Sequence, residues 1–222
     1  VRDRQSGTTA RVSVDSAGIQ GDGDSGYYNG HACISADGRY VAFVSVAANL
    51  VPGDTNVRLD VFVRDRQLGT TERVSVDSAG LQGDGNSGDP ALSPDGRYVA
   101  FGSLATNLVP GDTNGSADVF VRDRQFGTTE RVSVDSAGVP GNGNSGGPSI
   151  TPDGRCVAFV SLATNLVASD TNASNDVFVR DRQLGTTERV SVDSSGAGGN
   201  GNSYFPSISD DRRVVAGTSD AS

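Results

Sequence analysis

Ser93-Pro-Asp-Gly-Arg-Tyr-Val-Ala-Phe101 decides the fold of this 222-residue chain. The stretch returns as Ser35-Ala-Asp-Gly-Arg-Tyr-Val-Ala-Phe43, as Thr151-Pro-Asp-Gly-Arg-Cys-Val-Ala-Phe159 and, decayed, as Ser209-Asp-Asp-Arg-Arg-Val-Val-Ala-Gly217. Each copy opens with a short turn and continues as an alternating apolar run. Asp and Gly tolerate the dihedrals of a tight reversal, and a run rich in Val, Phe and Tyr leaves such a turn as a strand. Phe43, Phe101 and Phe159 stand 58 residues apart. A fixed period of that size marks a tandem repeat, in which each unit buries its apolar face on its neighbours.

A second landmark, Val1-Arg-Asp-Arg-Gln, returns at Val63, Val121 and Val179, at intervals of 62, 58 and 58 residues. The long first interval places a four-residue insertion near Tyr27, Tyr28, Asn29 and Gly30. One unit holds four strand candidates: Pro148 to Thr151, Arg155 to Ser161, Asp176 to Asp181 and Thr187 to Val192. The last three alternate and are rich in Val, Phe and Thr, as half-buried strands are. Tight turns join strands one to two and three to four. Long Asn/Asp/Gly loops join two to three and four to the next unit. In an antiparallel meander the two long loops share one end, and that end is where a ligand site is expected.

Four antiparallel strands per unit, repeated in tandem, predict the blades of an all-β propeller with four repeats of about 58 residues. The chain opens with strands three and four of a unit, runs through three whole units and closes with strands one and two. The two half-units are expected to pair into a fourth blade, closing the ring and removing its edges. The expected organisation is one domain over residues 1–222, with blades at 31–76, 89–134 and 147–192 and a joined blade from 1–15 with 205–219.

Ser-Pro-Asp-Gly-Arg-Tyr-Val-Ala-Phe resembles the repeat of TolB-like propellers, the WD40-like PD40 family. The resemblance runs through every repeat. It implies that the motif marks the turn between the first and second strands of each blade, and it says almost nothing about activity. Such propellers usually have six or more blades. Four repeats leave three options: a small closed ring, a chain that pairs with another to make a larger ring, or part of a longer array.

Composition narrows the classes. Hydrophobic residues make up 35%, and glycine contributes 30 of 222, which suits short strands joined by many turns. The formal charge is -9, and all eighteen basic residues are arginine. An acidic chain without lysine argues against a nucleic-acid partner, which requires net positive patches. No run approaches the roughly 18 apolar residues of a membrane span. The chain starts inside a repeat at Val1 with no leader, which predicts a mature, trimmed or partial chain from a secreted, extracellular or periplasmic protein. Cys33 and Cys156 fall at unrelated repeat positions and are expected to be small buried fillers rather than a disulfide.

The recurring polar residues are expected to be scaffold. Asp37, Asp95 and Asp153 should accept hydrogen bonds from the backbone of their own turns. Asp65, Asp123 and Asp181 should be partly buried carboxylates satisfied by Thr hydroxyls, turn amides or, in the first unit, Arg73. Gly143-Asn-Ser-Gly-Gly-Pro148 resembles the nucleophile segment of trypsin-like proteases, but the loop recurs at Gly23, Gly85 and Gly201. The one histidine, His31, belongs to a different unit from Ser145, so a Ser-His-Asp relay is not expected.

Two sites remain. The loop between strands two and three reads Asp112-Thr-Asn114-Gly-Ser116-Ala-Asp118, with copies at Asp54, Asn56 and Asp60 and at Asp170, Asn172, Ser174 and Asp176. Oxygen side chains at alternate positions can converge on Ca²⁺, which takes six to eight oxygen ligands. The opening resembles the Asp-x-Asn pattern of calcium loops, but it lacks the fifth-position Asp and the distal Glu, and Arg58 in the first copy would repel a cation. An Asx-rich turn is the competing reading. The insertion supplies the second site: Tyr27, Tyr28 and His31 are candidates to contact a sugar or peptide, and a longer loop whose tyrosines pack over the channel mouth is the competing reading.

These features predict a non-enzymatic, secreted binding or structural scaffold, calcium-stabilised on its long-loop face, with a protein or carbohydrate partner. Two other classes stay open. One is an assembly protein whose half-blades pair between chains by self-association. The other is the propeller portion of a larger enzyme such as a peptidase.

Overall fold

The structure, a computed structural model, describes residues 1–26, 31–168 and 170–221. Among these there is no helix and therefore none long and apolar enough to cross a membrane. Three four-stranded antiparallel sheets follow one another. The first holds β1 (Cys33–Ile34), β2 (Tyr40–Ser45), β3 (Asp60–Asp65) and β4 (Thr70–Arg73). The second holds β5 (Ser87–Leu92), β6 (Tyr98–Ser103), β7 (Asp118–Asp123) and β8 (Thr128–Arg131). The third holds β9 (Ser145–Ile150), β10 (Cys156–Ser161), β11 (Asp176–Asp181) and β12 (Thr186–Arg189). A two-stranded sheet, β13 (Ser203–Ile208) with β14 (Val215–Ser219), ends the chain.

The alternation in Val-Ala-Phe-Val sends side chains to both faces of each sheet. Ala42, Val44, Val61 and Val63 of the first sheet bury against Phe101 and Phe120 of the second. Ala100, Val119 and Val121 meet Phe159 and Phe178 of the third in the same way. Each inter-sheet core therefore joins one unit's aliphatic face to the next unit's phenylalanines. Within a sheet those rings pair across the register. Phe43 and Phe62 stack at 5.8 Å, and both Phe101–Phe120 and Phe159–Phe178 at 5.9 Å. Such pairs contribute about 0.5–1.5 kcal/mol beyond the area they bury.

The inner strands β5, β9 and β13 are longer than the sequence predicts and the outer strands shorter, while β1 is confined to Cys33–Ile34. β9 begins at Ser145 and continues through a register shift around Gly147 and Pro148, where one extra residue is accommodated as a bulge. Proline has no N–H for the ladder and is tolerated there. β12 stops at Arg189, whereas the pattern ran to Val192. The backbone beyond each outer strand turns towards the following sheet instead. The Thr129 hydroxyl donates to the Val76 carbonyl at 2.6 Å, and the Thr187 hydroxyl to the Val134 carbonyl at 2.6 Å.

The joined fourth blade is not formed among the described residues. β14 pairs only with β13, and Val1–Ala10 closes on itself through an Arg2–Thr9 bridge. The physical reason lies in the decayed motif. Gly217 stands where the other units carry the stacking phenylalanine, and β14 is exposed along most of its length. A strand without that ring has little to offer an incoming partner.

The turn carboxylates do what their positions require. Asp37 accepts the Ser35 hydroxyl at 2.6 Å and the Arg39 amide at 2.9 Å, and Asp95 and Asp153 repeat the pattern. Asp65 accepts the Gln67 and Leu68 amides, as expected, but its arginine is Arg39 rather than Arg73 and no threonine hydroxyl reaches it. Arg39 grips it with Nε at 3.0 Å and Nη2 at 2.6 Å, tying the two tight turns of the unit together. Arg97–Asp123 and Arg155–Asp181 are the same clamp.

These clamps make acid stability testable. Arg39 and Arg155, with the turn amides, hold the Asp65 and Asp181 carboxyls down to about 2. A folded-state value below the unfolded one, about 3.9, stabilises the protein fully above the unfolded value, and the contribution is lost as pH falls through the folded value. Asp181→Asn is therefore expected to be less stable than the parent at pH 7, with the gap closing between about pH 4 and pH 2. Urea melts across that range check it, and a gap independent of pH would contradict the assignment.

Candidate functional site

In each unit the carboxylates of the Asp-x-Asn loop gather around an arginine. In the second unit Arg131 Nη1 lies 2.9 Å from Asp112 Oδ1 and 3.1 Å from Asp118 Oδ2, and its side chain is 8% exposed. The contact to Asp112 is an ion pair without hydrogen-bond alignment. The Asn114 amide points its NH₂ group at Asp118 Oδ2 and the Gly141 carbonyl, both at 2.9 Å, while its oxygen accepts the Ser116 amide. Ser133 donates to the other Asp118 oxygen at 2.5 Å. Arg73 holds Asp54 and Asp60, with Asn56 beside them, and Arg189 holds Asp170 and Asp176, with Asn172 beside them. Ser174 uses its amide and hydroxyl on Asn172.

These residues do not fit a bound cation. The guanidinium already supplies the positive charge, and the asparagine presents donors where a metal needs oxygen. Among the described residues no group of three or more His, Cys, Asp or Glu side chains is arranged to hold a metal. Burial pushes the Asp54, Asp112 and Asp170 carboxyls up, and the adjacent arginine opposes it. The cluster closes the long-loop end of each blade.

The serines of the Gly-Asn-Ser-Gly loop and its copies are tied to the neighbouring strand, and Ser87, Ser145 and Ser203 are buried while Ser25 is exposed. Ser145 and Ser161 hydroxyls meet at 2.8 Å, and Ser87–Ser103, Ser25–Ser45 and Ser203–Ser219 repeat the contact. Cys156 is buried and Cys33 half-buried, and both are free thiols.

Tyr27 and Tyr28 lie outside the described residues. His31 does not, and its position is informative. It stands twelve residues before Phe43, as Asp89 stands before Phe101, Gly147 before Phe159 and Phe205 before Gly217. These four equivalent positions line one cavity of about 380 Å³, floored by Pro90, Pro148 and Pro206. Three of them sit at the inner-strand bulges with left-handed backbone: Asp89 at φ 49°, Gly147 at 55° and Phe205 at 52°. Aspartate tolerates that region, but phenylalanine there is uncommon and holds strain of order 1–3 kcal/mol. The bulge turns each of these residues out of the ladder, and Phe205 is 78% exposed.

The Asp89 carboxylate makes no hydrogen bond or salt bridge among the described residues. Solvent reaches it, yet protein walls it closely enough that burial pushes its acid up, with the charge of His31 opposing. Sequence reasoning found His31 through the insertion and missed its three counterparts. The signal was present in the repeat itself, as one offset where otherwise similar units carry four unlike side chains.

No family model matches the chain, and no curated protein matches it. Solved structures do. TolB from Acinetobacter baumannii aligns over 84% of this chain and 36% of its own, at 20% identity and a TM-score of 0.51. A putative TolB from Agrobacterium tumefaciens aligns over 84% and 52%, at 19% identity and a TM-score of 0.54. Dipeptidyl peptidase 4 from Porphyromonas gingivalis aligns over 85% and 28%, at 15% identity and a TM-score of 0.50. The chain thus spans between about a quarter and half of the length of these proteins. At such identities the likeness speaks to fold alone, and together with the repeated four-stranded sheets it gives this chain a β-propeller-type array of blades, similar in fold to TolB.

Proposed function

We propose that the chain is a non-enzymatic binding scaffold whose ligand occupies the cavity between the inner strands. One observation carries this reading. The three full units agree at turns, clamps and core, yet the four inner strands carry His31, Asp89, Gly147 and Phe205 at the position that lines the cavity. Scaffold positions are uniform because each unit solves the same packing problem. A position that faces a cavity and differs in every unit is free to be fitted to something else. The prolines behind it support the reading, because they fix the backbone on which those side chains stand.

The test is a fragment screen read by amide chemical shifts on the ¹⁵N-labelled chain. Shifts are expected to concentrate on residues 31, 89, 147 and 205 and their neighbours in β5, β9 and β13. Shifts confined to the outer strands, or none from any fragment, would overturn the reading.

A further inference from the structure

We infer that the cavity selects an organic ammonium ligand, held by the Asp89 carboxylate and the face of Phe205. The inference rests on the binding reading above and names the ligand class. Asp89 is the one carboxylate among the residues lining the cavity, and no arginine lines it. Clamped carboxylates elsewhere are met by guanidinium groups: Asp65 by Arg39, Asp118 by Arg131, Asp181 by Arg155. Asp89 is left without such a partner in a chain with eighteen arginines.

Phe205 supplies the second half of the site. Phe205 is 78% exposed on a backbone at φ 52°, a costly placement that pure packing does not reward. Tyr204 lies beside it, with ring centroids 6.1 Å apart. Aromatic faces attract ammonium groups through the ring quadrupole, most strongly where water is partly excluded. Gly147, between Asp89 and Phe205 in the repeat order, has no side chain and leaves room for the ligand's body. The chain's net charge of -9 favours the approach of cations over anions. Primary and quaternary ammonium groups share this chemistry. A primary one also donates hydrogen bonds to the carboxylate, which a quaternary one cannot.

Titration of the full chain at pH 8 with benzylammonium, benzyltrimethylammonium, benzyl alcohol and benzoate, followed by amide shifts, tests the inference. Both cations are expected to bind at least tenfold more tightly than the alcohol, and benzoate not to bind. Tighter binding of benzylammonium assigns the site to primary amines, and the reverse order to quaternary ones. Asp89→Asn, which keeps a residue that tolerates the left-handed backbone, should weaken the preferred cation about tenfold. Phe205→Gly, the residue found at 147, should weaken it about fivefold. Equal binding of alcohol and cation, or full affinity in Asp89→Asn, overturns the ammonium assignment while leaving the cavity a binding site. Failure of every probe and every fragment there removes both.

Discussion

Arg131→Ala is expected to lower the melting temperature by roughly 6–20 °C. The Arg131 side chain is 8% exposed, and it stands 2.9 Å from Asp112 and 3.1 Å from Asp118. Removing it leaves two carboxylates in a closed pocket without a counter-charge. Breaking a buried pair from one side costs about 3–5 kcal/mol, much of it the penalty of the stranded charge. For a chain of this size each kcal/mol moves the transition by about 2–4 °C. Adding Asp112→Asn and Asp118→Asn to the same variant removes the stranded charges and should recover a substantial part of the loss. Calcium separates this account from a metal-loop account. About 5 mM calcium should leave the parent protein's melting temperature unchanged, because an ion that binds only the folded state must raise it. A rise of several degrees, or an Arg131→Ala variant that melts like the parent, would show that the cluster is a cation site after all.

The contrast between this cluster and its sequence shows where legibility ends. The repeat period, the four strands, the tight turns and the two-ended arrangement of loops were readable, because each follows from local pattern and a period of 58 residues. The Asp-x-Asn loops were readable as polar clusters but not as arginine clamps. Each full unit carries several arginines, and composition does not say which guanidinium meets which carboxylate. Pairing depends on register: Arg39 reaches Asp65 because Tyr40 pairs with Asp65 across β2 and β3, whereas Arg73 leaves β4 towards Asp54 and Asp60. The joined blade failed for a related reason. Strand count makes the two halves complementary, but count does not weigh the loss of a stacking ring at Gly217. The cavity positions failed differently. Asp89, Gly147 and Phe205 each look like an ordinary residue before a proline, and only their shared offset from the next strand reveals them as one set of cavity-lining positions.

The same comparison between units yields the second large effect, at the turn that first revealed the repeat. Gly154→Arg in the parent chain is expected to cost about 2–4 kcal/mol, from overpacking and from a left-handed φ that disfavours a side chain. Gly154 has φ 67°, and a Cβ there would fall well inside van der Waals contact of the Tyr98 ring. That ring cannot swing away freely. Arg97 lies over it at 4.6 Å and Arg182 at 5.3 Å, and Arg182 also bonds the Gly154 carbonyl and Glu130 of the preceding unit. Gly96 against Tyr40 is the same lock one unit earlier, with Arg39 and Arg124 at 4.7 and 4.5 Å from the ring. Between the third sheet and the last unit the lock is broken in both halves at once. Cys156 replaces the tyrosine, and Arg212, at φ 66°, replaces the glycine of the following turn. A smaller residue beneath makes room for a Cβ above, and Arg212 then pairs with Asp153 at 3.1 Å. Transplanting the pair tests that logic. Tyr98→Cys alone should lose the ring's packing and its cation contacts. Combined with Gly154→Arg, it should remove the clash, so that the double variant is more stable than the sum of the single losses by at least about 1 kcal/mol. Denaturant melts of the four proteins give the coupling directly. Strict additivity would mean that the glycine answers only to its own backbone, and that the tyrosine of one unit does not dictate the turn of the next.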